Sequence, residues 1–395
     1  MVTSSERPLL MIPGPVEISP RVARAHAAEP LSHMSAELAD AFARSLESIR
    51  TVWKADRTSQ PFVVAGSGTT AMDMVVANMV EPGTRAVAVC TGYFSDRIVE
   101  MLRRAGADVV EVRAAAGDVP RIDDVRNALE RAGTVDLLVA THVDTSTGAR
   151  VDPEPLARLA REREIISVFD GVCATGAERF EMSAWDADVY LTASQKALGL
   201  PPGLGLFVAS ERALARRARR RGPKPPMVLD WELWLPVMRS YEARAPKYFA
   251  TPATCLVAAL AEGLAEILEH GIDARVAAQA RVGHAMRAAW RALGLELVPV
   301  RAHLAADTLS AIWKPLDPQV DVVSRIAAHG AIVAGGLHPD IRARYFRVGH
   351  MGYAATQPAM LERTVRAVAL GLRDAGFACD VDAGLGALRA GLSED

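Results

Sequence analysis

The sequence predicts an α/β fold in which a mostly parallel, doubly wound sheet forms a large domain and a smaller α+β domain follows it. Three observations carry this. Apolar strand-length runs alternate with helix-length runs from residue 62 to residue 169, and such alternation means parallel strands covered by helices on both faces. A chain of 395 residues is longer than one ordinary core fills. Beyond residue 270 helices and strands mix without that regular alternation, which sets a second unit apart.

In chain order, a short apolar entry over 9–12 leads through Pro13-Gly14-Pro15 to a helix whose apolar positions Leu38, Phe42, Leu46, Ile49 and Trp53 recur at near-helical spacing. The alternation then runs strand 62–65, helix 70–80, strand 85–91, helix 95–105 and strand 108–112, followed by helix 121–132, strand 136–142, helix 153–163 and strand 165–169. Helix 70–80 is the best defined, with Met72, Val75, Val76, Met79 and Val80 on one face and Pro82-Gly83 closing it. Val189, Tyr190 and Leu191 make a further short buried strand with Thr192 to Gln195 as its polar exit. Pro201, Pro202, Gly203 and Gly205 then form a turn that cannot become helix. A helix over 252–270 leads out of the large domain. Beyond it the sequence predicts a helix to about 293, strands near 295–298 and 308–313, and helices near 317–329 and 357–375. The expected partition is an N-terminal segment 1–17 near the site, a large domain 18–265, a small domain 266–382 and a poorly anchored tail 383–395.

Half the residues are hydrophobic and 23% are charged, which suits a packed core and argues against disorder. A formal net charge of −2 offers nucleic acid and anionic membranes no overall attraction. The local run Arg216, Arg217, Arg219, Arg220 and Arg221, with Lys224 after it, reads as the solvated end of a helix. Cys90, Cys173, Cys255 and Cys379 show neither metal spacing nor the density of a disulfide framework, so a reducing cytoplasm is expected. The opening residues lack a basic start followed by an apolar core, and no later run is long and uncharged enough to span a bilayer. A soluble, intracellular protein is expected.

In an open parallel sheet, ligands bind outside the carboxyl ends of the strands, and four clusters fall at that edge. Gly66-Ser67-Gly68-Thr69-Thr70 lies between a strand and a helix, where small residues let free N–H groups and hydroxyls surround a phosphate. The same stretch spells Gly66-x-Gly68-x-x-Ala71, a dinucleotide fingerprint. That reading needs an acidic residue ending the next strand, which instead ends Val89-Cys90-Thr91-Gly92. Asp144-Thr145-Ser146-Thr147-Gly148 is a hydroxyl-rich turn after another strand. Asp170 places a carboxylate at the end of a buried strand, where an unpaired charge is costly and a partner is expected. Lys196 stands just past the 189–191 strand, where partial burial lowers an amine's pKa and permits a Schiff base with a carbonyl. A phosphate cup, an aspartate, hydroxyls and such a lysine on one edge match what pyridoxal 5'-phosphate requires. Phe94, after the strand ending near Thr91, is placed to cover one face of the pyridine ring.

The motifs Gly66-Ser67-Gly68-Thr69, Thr145-Ser146-Thr147-Gly148, Ser194-Gln195-Lys196-Ala197-Leu198, Pro201-Pro202-Gly203 and Arg347-Val348-Gly349-His350-Met351-Gly352 resemble class V aminotransferases of the alanine/serine–glyoxylate group. The resemblance runs from Pro13-Gly14-Pro15 to Gly352 and implies a fold type I homodimer with active sites at the subunit interface. It implies that Ser67, Gly68 and Thr69 bind the phosphate, that Phe94 stacks on the ring and that Ser146 lies near the ring hydroxyl. Asp170 would pair with the pyridine nitrogen, Gln195 would assist the phosphate and Lys196 would carry the Schiff base. Tyr248 and Thr251 match residues sent across the interface to the partner's phosphate, and Arg347 and Gly14 match substrate-binding positions. A planar guanidinium fork after Tyr345-Phe346 also suits a carboxylate on its own chemistry. The chain departs from many members at Gly171-Val172-Cys173, after the aspartate.

The expected activity is transfer of an amino group from a small amino acid, alanine or serine, to a small 2-oxo acid, glyoxylate or pyruvate. Lys196 and Asp170 would be catalytic, and no metal is expected. The alternatives are a lyase, desulfurase or carbon-bond-forming enzyme on the same fold, or a non-catalytic cofactor carrier. Desulfurases usually carry histidine where this chain has Gln195 and need a mobile cysteine. Cys90 and Cys255 fall in regular elements, and Cys173 leaves that alternative open.

Overall fold

The computed structural model describes residues 7–393, so residues 1–6 of the expected N-terminal segment and 394–395 of the expected tail lie outside it. Leu9–Leu10 (β1) is followed by Pro20–His26 (α1) and Ala36–Val52 (α2). Ser19 accepts from Val22 N–H and Ser35 from Leu38 N–H, each satisfying a donor that the first helical turn leaves free. Next come Gln60–Ala65 (β2), Gly68–Met79 (α3), Arg85–Cys90 (β3), Tyr93–Arg104 (α4), Asp108–Arg113 (β4), Ile122–Ala132 (α5) and Leu137–Thr141 (β5). A hairpin of Val143–Asp144 (β6) and Ala149–Arg150 (β7) leads to Pro153–Glu162 (α6), Ile166–Asp170 (β8), Val189–Ala193 (β9) and Leu204–Ala209 (β10). Glu211–Arg219 (α7) and Trp231–Glu242 (α8) follow.

These strands make a seven-stranded sheet in the order β2-β10-β9-β8-β5-β3-β4. Only β10 runs antiparallel to its neighbours. The sequence does not announce β10, and its direction has a simple cause. The segment joining it to β9 holds Pro201-Pro202 and no helix, so the chain turns back instead of crossing over. Gly205, expected in the turn, lies inside β10. A Cβ there would stand 2.8 Å from the Ser67 carbonyl oxygen, so the glycine lets α3 begin against the sheet. The carboxyl ends of β3, β5, β8 and β9 therefore share one edge with the N-termini of α3 and α4.

Thr254–Leu268 (α9) and Ile272–Ala292 (α10) lead into Leu309–Trp313 (β11), Val322–Ala328 (α11), Ala331–Ile332 (β12) and Ala334–Gly335 (β13). Tyr345–Gly349 (β14), Pro358–Asp374 (α12) and Val381–Ser393 (α13) complete the chain. Strands β11, β14 and β13 form an antiparallel sheet, and β1 pairs in parallel with β12. Burial follows two large clusters, with three small ones beside them: one large cluster gathers residues from Val22 to Ile267, the other joins Leu9 and Met11 to residues between Val282 and Leu388. The N-terminal segment thus packs with the last third of the chain, and Gly349 N–H donates to Met11 O at 2.7 Å.

Four expectations need correction. The strand expected at 295–298 shrinks to one bridge, Leu297 to Ile312, because Gly294 at φ +77° and Pro299 bracket it too closely for a ladder. Helix 317–329 starts only at Val322, where Asp321 caps it by accepting from Ser324 N–H. The tail is not loose over its described residues: Val381–Ser393 form α13, which buries Leu385 and Leu388 against α10. The arginine run is not wholly solvated either. Arg217 is buried and donates to Asp230 and Asn78 at 2.7 Å each, while Arg220 donates to Val80 O at 2.9 Å. A guanidinium reaches inward where carbonyls or carboxylates await it.

Candidate active site

The start of α3 builds an anion cup. Ser67 is the N-cap: Thr70 N–H donates to its Oγ at 3.4 Å, and Ser67 N–H donates to Thr70 Oγ1 at 3.0 Å. Ala71 N–H donates to Ser67 O, so the N–H groups of Gly68 and Thr69 are left without partners among the described residues. Two free donors at the positive end of a twelve-residue helix suit a phosphate.

Asp170 closes β8, fully buried. Its Oδ1 accepts from Val172 N–H at 2.9 Å, and its other oxygen has no hydrogen bond among the described residues. Burial pushes its carboxyl up to about 7, a tendency that Val172 N–H opposes and the Asp144 carboxylate reinforces. A carboxylate so placed calls for a cationic N–H.

Lys196 follows the end of β9, with its amine donating to Pro13 O. Burial lowers its pKa; the Cys173 thiol and the Asp170 carboxyl act in the opposite sense, and the Arg347 guanidinium in the same one. Four groups from three separate stretches of the chain thus share one electrostatic neighbourhood. Gly14 lies against the lysine, since a Cβ there would stand 2.8 Å from Nζ.

Arg347 projects from β14, its Nε donating to Gly335 O at 2.9 Å and Nη1 to Thr145 O at 3.1 Å. It forms no ion pair among the described residues, and burial lowers its pKa. Backbone carbonyls aim the fork and leave its charge uncompensated, which is the state that receives a carboxylate.

The other expected residues divide. Phe94 lies at the first turn of α4, its ring 5.4 Å from Tyr93 in an edge-on contact. Gln195 Oε1 is buried without a hydrogen-bond partner. Ser146 is fully buried and its hydroxyl is already committed: it donates to Asp144 Oδ1 at 2.6 Å and accepts from Tyr93 N–H at 2.9 Å. Asp144 in turn accepts from Phe94 and Ser95 N–H, so the pair braces the start of α4. Tyr248 is 61% exposed, and neither it nor Thr251 joins the Lys196 group within this chain.

Sequence reading missed three contributors. Pro13 and Thr145 act through backbone carbonyls, which carry no residue-type signal. Arg97 donates to Thr69 Oγ1 at 3.0 Å, and its only signal was its place three residues after Phe94 on one helix face. A larger cavity, about 750 Å³, opens between α5 and α6 beside His142 and Trp185; none of the Lys196 group lines it. Its Arg150 is already bound to Glu178 at 2.8 Å and Asp307 at 2.9 Å. Cys90, Asp96 and Glu111 lie close together, but Arg113 and Arg103 already neutralise both carboxylates.

Parallel strands that deliver Asp170 and the Lys196 loop to one edge, beside a helix-start anion cup, define a fold type I transferase. The chain belongs to the class-V aminotransferase family, whose family model matches residues 21–356. It is 35% identical over 359 residues to alanine–glyoxylate aminotransferase 1 of Saccharomyces cerevisiae, covering 88% of this chain and 92% of that one. It is 28% identical to L-aspartate–glyoxylate aminotransferase of Paracoccus denitrificans, covering 97% and 96%. Among solved structures, an alanine–glyoxylate aminotransferase from Nostoc sp. superposes with a TM-score of 0.85 at 30% identity, covering 93% of this chain and 96% of that one. The protein is an aminotransferase.

Proposed function

We propose that the enzyme uses pyridoxal 5'-phosphate to move an amino group from a small amino acid, alanine or serine, to glyoxylate or pyruvate. One observation carries the reading: a half-buried lysine amine, a buried aspartate and an arginine, the last two without an ion pair among the described residues, meet beside the carboxyl ends of β8 and β9. The site residues fit that cofactor. Gly68 and Thr69 N–H would hold its phosphate, Asp170 its ring N–H, Phe94 one ring face, and Gln195 Oε1 has an unused acceptor nearby in sequence. When bound, the cofactor supplies a carbonyl that condenses with amines and a ring that draws in the electron pair left at Cα.

The chain's own groups do the rest. Arg347 grips the substrate carboxylate and so sets the angle at which the Cα–H bond meets Lys196. Lys196 Nζ, whose pKa burial lowers, takes the Cα proton and later returns a proton. The Asp170 carboxylate holds a positive charge opposite it. Pro13 O orients the amine between these roles.

Glyoxylate as acceptor is supported by the names of the yeast, Paracoccus and Nostoc relatives, of which the yeast and Nostoc names give alanine as donor and the Paracoccus name L-aspartate. A homodimer is supported by the exposed Tyr248, Met227 and Val228, which a second copy would cover. Four unpaired cysteines support a reducing compartment such as the cytoplasm. No helix of the described residues is long and apolar enough to cross a membrane. The decisive experiment loads the protein with pyridoxal phosphate and offers amino acids singly without an acceptor. Alanine or serine should bleach the visible band; bleaching by neither would reject the proposed donors.

A further inference from the structure

One guanidinium at the rim of the cup forms no ion pair among the described residues. Arg97 lies in the second turn of α4 between two acidic neighbours, yet Asp96 pairs with Arg113 at 2.7 Å and Glu100 with Arg104 at 2.8 Å. Its own contacts are of another kind. Nη1 donates to Thr69 Oγ1 at 3.0 Å and Nη2 to Tyr93 OH at 3.3 Å. Its Cζ stands 5.1 Å from the ring centroids of both Tyr93 and Phe94. Two rings and two hydroxyls fix the plane of the fork, and a cavity of about 540 Å³ opens beside it, lined also by Thr69, Pro339 and the carboxylates of Asp73, Asp96 and Glu100, none of which pairs with Arg97.

The contact with Thr69 has a chemical consequence. A hydroxyl holds one proton and two acceptor lone pairs. When Oγ1 accepts from a cation, its own proton is left to donate, and the hydrogen bond it receives strengthens the one it gives. Thr69 also carries one of the two free N–H groups of the cup. We propose that Arg97 is a positioning residue for the cofactor phosphate: it occupies the acceptor side of Thr69 Oγ1, turns that hydroxyl into a donor to the cup and brings an uncompensated positive charge to its rim. This rests on the cofactor reading given above. It differs from a packing role, in which the side chain merely fills space over Tyr93 and Phe94.

Two probes separate these roles: pyridoxal phosphate and pyridoxal, which lacks the phosphate. Each is titrated into the full-length protein stripped of cofactor, with absorbance and tryptophan fluorescence as readouts. Arg97→Met, which keeps an apolar stem over the rings, should weaken pyridoxal phosphate about tenfold or more and change pyridoxal by less than about twofold. Arg97→Lys, with the charge but not the fork, should fall between Met and wild type. Adding Thr69→Val to Arg97→Met should cost less than the product of the single losses, because the two groups act through one contact. Arg97→Met binding pyridoxal phosphate as the wild type does, or losing both probes equally, would overturn the inference. A wild-type protein that binds neither probe would remove the cofactor reading and this inference together.

Discussion

Gly14 faces Lys196 so closely that a methyl group on its Cα would stand 2.8 Å from Nζ, and its φ of +91° is one that side chains other than glycine's avoid. The N-terminal segment and the loop after β9 meet only in the folded protein, and the missing side chain is the space the lysine uses. Gly14→Ala should therefore displace the amine. Turnover is expected to fall at least about 100-fold, an ångström-scale misplacement being enough for that. Steady-state kinetics with cofactor content measured in parallel would check it. Near-normal turnover would mean that the segment can retreat.

The ionisation of Asp170 should show in stability. Burial raises its carboxyl from 3.8 to about 7, so the folded, cofactor-free protein holds this proton more tightly than the unfolded chain does. Stability is then lost as pH rises through that window, by on the order of 4 kcal/mol at most. Asp170→Asn removes the penalty. The cofactor-free variant should gain stability on the wild type as pH rises toward 8, while its cofactor affinity and turnover fall. Urea unfolding at several pH values reads the effect, and an advantage independent of pH would refute it.

Arg347 is held by two backbone carbonyls and forms no ion pair among the described residues. Replacing it by alanine should raise KM for the amino acid about 100-fold, the worth of one charge-assisted pair of hydrogen bonds. Arg347→Lys should recover little, since a point charge cannot make two parallel contacts. Full rescue by lysine would show that charge alone suffices.

The last helix should be structural. Leu388 is 0% exposed within the second hydrophobic cluster, so Leu388→Ala is expected to cost about 2–5 kcal/mol. Chemical denaturation would measure it, and an unchanged midpoint would return α13 to the status of a dispensable tail.

Cys173 bears on the desulfurase alternative. Its thiol is fully buried, burial pushes its pKa up, and its Sγ lies 3.7 Å from Thr308 Oγ1. A neutral, enclosed thiol is a poor nucleophile. Given L-cysteine, the wild type should release no sulfide beyond the cofactor-only background. Sulfide formed at the rate of transamination would reverse the choice between the two chemistries.

How much was legible follows the range of each interaction. Helix α3 could be read because its periodicity and Ser67 cap are local, and the alternation up to β8 because it is a pattern along the chain. Helix α13 could not be read, since its partner α10 lies far off in sequence, and β10 joins its near neighbour β9 to the distant β2, a pairing that no local pattern announces. At the site, Lys196 and Asp170 stood out by their places at strand ends. Ser146 was readable as a hydroxyl in a turn, but not as one already bound to Asp144.

The sequence alone therefore determined the residue chemistry: an amine and a carboxylate at strand ends, a glycine-rich helix start and a guanidinium after an apolar pair. Only the tertiary structure decided which backbone carbonyl holds the amine, that neither Asp170 nor Arg347 forms an ion pair among the described residues, and that Arg97 reaches Thr69. The reason is physical. A side chain's type is carried by its own position, whereas its burial and its unused hydrogen bonds are properties of neighbours brought from elsewhere in the chain.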